Sequence, residues 1–223
     1  MRQVIGGVLP FAVIVMVSPI NIVAAILLLF SKRPMRNAGC YLAGFVVGLT
    51  LVVTGLTALA GAVHLDHGGT RARGVSIALV ALGAWLIIQA VRKFRGRPTG
   101  DDEATLPAWM DGIAAFSPWR SLAVGAGVGA ANPKNIAVAL GAAATISAAG
   151  LAGGQQAVVL AVYVVIACSG VAAPLVAMLV LGARGPAVLE EWKAWLTRNN
   201  PAMMAVIFLF FGVYLIGKNL GGI

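Results

Sequence analysis

Apolar residues fill this chain in six long blocks, at about 4–30, 37–63, 74–92, 119–149, 157–182 and 201–220, parted by short runs rich in Arg, Lys, Gly and Pro. A hydrocarbon layer of ~30 Å is crossed by roughly 20 helical residues, so each block is long enough for one passage. The pattern predicts an all-α integral membrane protein with six transmembrane helices. The first and fourth blocks exceed what one crossing needs, and both are interrupted by a polar residue followed by proline, Ser18-Pro19 and Asn132-Pro133.

These pairs predict broken helices. Proline has no N–H and its ring collides with the carbonyl four residues back, so a helix entering Pro133 should stop there and leave acceptors free near Gly129. The residue before a proline is pushed out of the helical region. Ser or Asn followed by Pro also opens a new helix, the side-chain oxygen capping the first amides and proline fitting the first helical position. Asn21 and Asn135 then fall in the first turn of each new half-helix, within reach of a ligand or of the freed backbone. The positive end of each half-helix points at whatever lies between the two breaks.

The two breaks belong to a repeat. Pro19 aligns with Pro133, Asn21 with Asn135, Ile22 with Ile136 and Ala25 with Ala139, at an offset of 114 residues. Gly83-Ala84-Trp85-Leu86-Ile87 matches Gly212-Val213-Tyr214-Leu215-Ile216 at an offset of 129, so the second copy needs 15 extra residues. The stretch 185–199 supplies them. Val188, Leu189, Trp192, Trp195 and Leu196 recur there at helical spacing among Glu190, Glu191, Lys193 and Arg198, which predicts an amphipathic interfacial helix, an anchor rather than a gate. A unit with three crossings must insert upside down relative to its twin, the plan of many secondary transporters, whose sites lie near the midplane at corresponding broken helices. The expected organisation is a first three-helix repeat, 1–93, a cytoplasmic linker, 94–118, with a second interfacial stripe (Leu106, Trp109, Met110, Ile113, Phe116), and a second repeat, 119–223.

Composition agrees and narrows the partners. The 223 residues are 60% hydrophobic and 10% charged, with mean hydropathy +0.95. The net charge of +9 would suit nucleic acid, but its distribution is a topology signal. With six crossings, Arg2, Arg71, Arg73 and Lys218 fall on one side and eleven Lys and Arg on the other, which places the linker in the cytoplasm and both termini outside. Cys40 and Cys168 lie in apolar blocks as ordinary packing residues. The loop His64-Leu65-Asp66-His67 reads as a solvated turn, so no metal or other cofactor is expected.

Lys134 is the sharpest chemical feature. A lysine deep in a bilayer costs about 3 kcal/mol or more, and in the first turn of a helix it opposes the dipole. No Asp or Glu lies in any apolar block, so its partner is a ligand, a lipid headgroup or a set of helix-end carbonyls. The alternative is that it snorkels to the surface. Ser18, Pro19, Asn21, Asn132, Pro133, Lys134 and Asn135 form the candidate substrate-binding set, with Tyr163 and Ser169 as candidate cavity-lining residues. Gly44 and Gly48, and Ser121, Gly125 and Gly129, are spaced for close helix packing, favoured within one monomer over a homodimer interface. No catalytic constellation or phosphate loop is present, which speaks against an enzyme.

Ser18-Pro19 with Asn21, the basic turn Lys32-Arg33-Pro34 leading through Asn37 to Gly44, and Ala131-Asn132-Pro133-Lys134-Asn135 together resemble the LysE superfamily of exporters, and within it the glycolipid- or sulfolipid-addressing (GAP) family. The resemblance runs over most of the chain. It implies a six-span inner-membrane protein that moves a glycolipid or a lipid-linked precursor toward the cell envelope. The amino-acid exporters of the same superfamily supply one alternative. A non-transporting scaffold that recruits lipid-synthesis or export proteins through residues 94–119 supplies another.

Overall fold

The computed structural model describes residues 1–64, 69–96, 110 and 112–220, and for 62–64, 69–75, 78, 218 and 219 the backbone alone. Among the described residues the chain is helical, with no strand: α1 (Arg2–Met16), α2 (Pro19–Leu29), α3 (Pro34–His64), α4 (Gly69–Arg95), α5 (Pro118–Ala131), α6 (Pro133–Ser147), α7 (Gly153–Leu181) and α8 (Gly185–Asn219), with single 3₁₀ turns at Ile113–Ala115 and Gly182–Arg184. Among the described residues two stretches are long and apolar enough to cross a membrane, Pro34–Gly61 and Gly153–Gly217, and the α1–α2 pair, bent by 51° at its break, makes a third when taken as one span. The loop 65–68 and most of the linker, residues 97–109 and 111, lie outside the described residues. Within those described, no group of His, Cys, Asp and Glu is placed to hold a metal.

The chain packs as two units, Met1–Gly61 with Thr105–Thr197, and Ala62–Ala104 with Arg198–Ile223. In the first, α1 packs on α6 and α7, and α2 on α7. Its core holds Val8 and Val15 of α1, Val23 and Ile26 of α2, Tyr41, Phe45 and Leu49 of α3, Ile146 of α6 and Tyr163 of α7, each wholly or almost wholly buried. Two small-residue rows draw α3 and α5 into backbone contact. A Cβ on Gly44 or Gly48 would run into the carbonyls of Leu122 or Ala126, and one on Gly125 or Gly129 into those of Tyr41 or Phe45. The predicted glycine spacings therefore meet each other inside one chain, the arrangement that lets apolar helices gain dispersion contact without a hydrophobic driving force.

In the second unit, Gly83 of α4 faces Gly212 of α8. A Cβ on either would stand 2.8 or 2.7 Å from the other's carbonyl oxygen. The two glycines that open the second sequence match thus lie against one another.

Two local readings change. Residues 185–199 and the last apolar block form one uninterrupted helix, with Pro201 inside α8 rather than at the start of a new one. Of the predicted linker stripe, Met110 and Ile113 are buried in the first unit instead of facing lipid. Phe116 beside them accepts a hydrogen bond from Asn37 Nδ2 at 2.9 Å.

Candidate functional site

Both proline-bearing blocks are broken where expected. α1 ends at Met16 and α2 begins at Pro19, and between them Ser18 is extended (φ −109°, ψ 98°). α5 ends at Ala131 and α6 begins at Pro133, with Asn132 extended between them (φ −70°, ψ 118°), as a residue before proline should be. The caps differ. Asn132 Oδ1 accepts from Lys134 N at 3.0 Å. The Ser18 side chain makes no cap bond, and its carbonyl instead accepts from Asn21 N and Ile22 N, each at 3.1 Å.

The last carbonyls of a helix have no donor within it, so each break leaves several acceptors free. Two carbonyls beside the breaks, Ile14 O before Ser18 and Val128 O before Asn132, stand 114 residues apart like the prolines. Each finds a side-chain donor, and not the same one. Asn135 Nδ2 donates to Val128 O at 3.0 Å, within its own half. At the other break, Ile14 O is taken by Lys134 Nζ from α6, at 3.3 Å.

Lys134 is therefore a brace from the start of α6 to the end of α1. It is 7% exposed, buried among protein rather than snorkelled, and no carboxylate among the described residues pairs with it. A helix-end carbonyl, one of the three partners open to it, accepts its hydrogen bond.

The consequence falls on Asn21. It occupies the position equivalent to Asn135, but the matching acceptor is already engaged by lysine. Asn21 is 0% exposed, and neither Nδ2 nor Oδ1 has a hydrogen-bond partner. Asn135 keeps an unpartnered Oδ1 as well. Beside Asn21 is a cavity of about 440 Å³ whose walls include Ile20 and Asn21 of α2, Val124 and Val128 of α5, and Asn132 and Pro133 at the second break. It lies between the two interruptions. Its lining carries amides and no charged side chain, so it suits a ligand that both donates and accepts hydrogen bonds, as hydroxyl groups do.

The remaining candidates fall elsewhere. Ser169 is exposed, donates to Ile166 O at 2.7 Å, and lines a second, apolar cavity of about 710 Å³. Tyr163 is in the core of the first unit, its hydroxyl buried without a partner. The sequence points to free acceptors near Gly129 within reach of Asn135 and to helix-end carbonyls for Lys134, without naming Val128 O or Ile14 O. Counting four residues back from each extended residue, instead of from the proline, finds both.

The chain is 29% identical to the "Sulfolipid-1 exporter Sap" of Mycobacterium tuberculosis over 237 aligned positions, covering 97% of this chain and 98% of that protein. No solved structure matches. Residues 8–221, which contain both breaks, Lys134 and all lining residues of the cavity between them, match the family described as Sap, sulfolipid-1-addressing protein, and the chain belongs to that family.

Proposed function

We propose that this protein exports a glycolipid or lipid-linked precursor across the membrane toward the cell envelope, its headgroup held in the cavity between the two helix breaks. The observation that carries this reading is Asn21, a fully buried primary amide with both polar atoms unpartnered, placed on the wall of that cavity. A buried polar group left unpaired costs about 1–3 kcal/mol, and a hydroxyl-bearing headgroup that parts the cavity wall at Asn21 would supply the missing partners. Asn132 lines the same space. Ser18, with no side-chain cap bond, leaves the first turn of α2 positive toward it. Lys134 adds positive potential and holds α1 and α6 in register through Ile14 O. The similarity to the sulfolipid-1 exporter of Mycobacterium tuberculosis supports the same direction.

In this reading the chain is a multi-pass protein of the plasma (inner) membrane, with six crossings arranged as two inverted three-helix repeats and both termini outside. The eleven-to-four partition of basic residues and the paired breaks support it. The test is reconstitution of the purified protein into phosphatidylcholine vesicles carrying a fluorescent monoglycosyl lipid. Native protein is expected to speed its passage between leaflets. Transport of amino acids without lipid movement would move the protein to the small-solute exporters. Failure to move either, with co-purification of a lipid synthase, would make it a scaffold.

A further inference from the structure

The second cavity, of about 710 Å³, lies against the first break on a different face of α2. Ile20 and Asn21 line the polar cavity and Ile22 lines this one. Successive helix residues are turned by about 100°, so Ile20 and Ile22 face nearly opposite ways and one helical turn separates the two spaces. We infer that this second cavity is a slot for an acyl chain of the transported lipid, with the first turn of α2 as the wall between chain and headgroup. The inference rests on the lipid-export reading above.

The lining commits the slot to a hydrocarbon occupant. Met16, Val17, Ile22, Ala173, Trp192 and Leu196 are apolar, and the hydroxyl of Ser169 is spent on Ile166 O. A sugar or an ion placed here would lose water without gaining bonds, whereas methylenes lose nothing. The floor is flat backbone, because Gly170 packs so closely on Met16 O that any Cβ would collide with it.

The mouth opens at an aromatic rim. Trp192 and Trp195 are 38% and 56% exposed on the charged first half of α8, and tryptophans of this kind mark the membrane–water interface. Lys193 stands 5.8 Å over the Phe30 ring, tying that half of α8 to the end of α2 beside the basic turn Lys32-Arg33. The slot thus runs from an interfacial aromatic rim inward to the break at Met16 and Val17, next to the headgroup cavity.

The test uses the full-length protein in phosphatidylcholine vesicles containing a phosphatidylcholine with a photoactivatable diazirine in its acyl chain, with cross-links mapped by mass spectrometry. Labelling is expected to concentrate severalfold on peptides holding Met16, Val17 and Leu196. It should fall severalfold in Ala173→Trp, which fills the slot. It should persist in Val165→Trp, which adds the same ring at a 69% exposed position of α7 outside it. Uniform labelling along α7 would show ordinary surrounding lipid and overturn the slot. So would unchanged labelling in Ala173→Trp, or a slot closed by a second copy of the chain as seen by native mass spectrometry. Lipid movement in the same vesicles separates the two proposals. Native protein that labels in the slot but moves no lipid sinks the export reading alone, and Ala173→Trp that moves lipid at the native rate sinks the slot alone.

Discussion

At the scale of single residues the site is defined by an exchange of partners. At one break Val128 O accepts from Asn135, at the other Ile14 O accepts from Lys134 of α6, and Asn21 has no partner. Replacing an unpaired buried amide by an apolar side chain of similar size removes a penalty of about 1–3 kcal/mol. Asn21→Leu should therefore unfold at a higher temperature in detergent while losing lipid transport; a variant that is less stable, or equally active, would contradict the assigned role. Lys134→Ala leaves Ile14 O without its donor, costing about 1–3 kcal/mol, and should abolish transport without preventing insertion. Protease protection in vesicles checks the insertion and lipid movement checks the loss. That Asn21 and Asn135 are equivalent is legible in the sequence. Which of them keeps a partner is not, because that depends on how α6 approaches the end of α1, a distance no residue spacing encodes.

At the scale of elements, two devices build the site: prolines that stop helices, and glycines that let them touch. The breaks at Ser18-Pro19 and Asn132-Pro133 were readable because proline acts locally, on its own turn. The glycine rows of α3 and α5 were readable as close-packing faces, though not as each other's partners, since the four-residue spacing says how near a neighbour comes and not which neighbour it is. Gly48 and Gly55 on α3 test this directly. A Cβ at Gly48 meets the Ala126 carbonyl, and one at Gly55 meets nothing within 4 Å. Gly48→Ala should destabilise the protein by about 1–3 kcal/mol or block its folding. Gly55→Ala should be neutral or stabilising by up to about 1 kcal/mol through helix propensity. Thermal unfolding of the two variants side by side decides it. The helix at 185–199 and the last apolar block run together through Pro201 as α8, because inside an apolar protein neighbouring groups can meet the carbonyl a proline frees.

At the scale of the molecule, the two cavities on either side of the first turn of α2 give the chain the two surfaces an amphipathic lipid requires, one lined by amides and one by hydrocarbon. The basic-residue partition and the paired breaks are what lead us to propose the repeat, and six-block hydropathy made the all-helical membrane class legible in the sequence. The cavities were not, because each is lined by residues far apart in sequence, α2 with α5 in one case and α2 with α7 and α8 in the other. The most direct measurement is passage of a headgroup-labelled monoglycosyl lipid from the inner to the outer leaflet of vesicles, followed by its loss of fluorescence to an impermeant quencher. The account predicts fast quenching with native protein and the protein-free rate with Asn21→Leu inserted to the same level. Equal rates for the two proteins would contradict it.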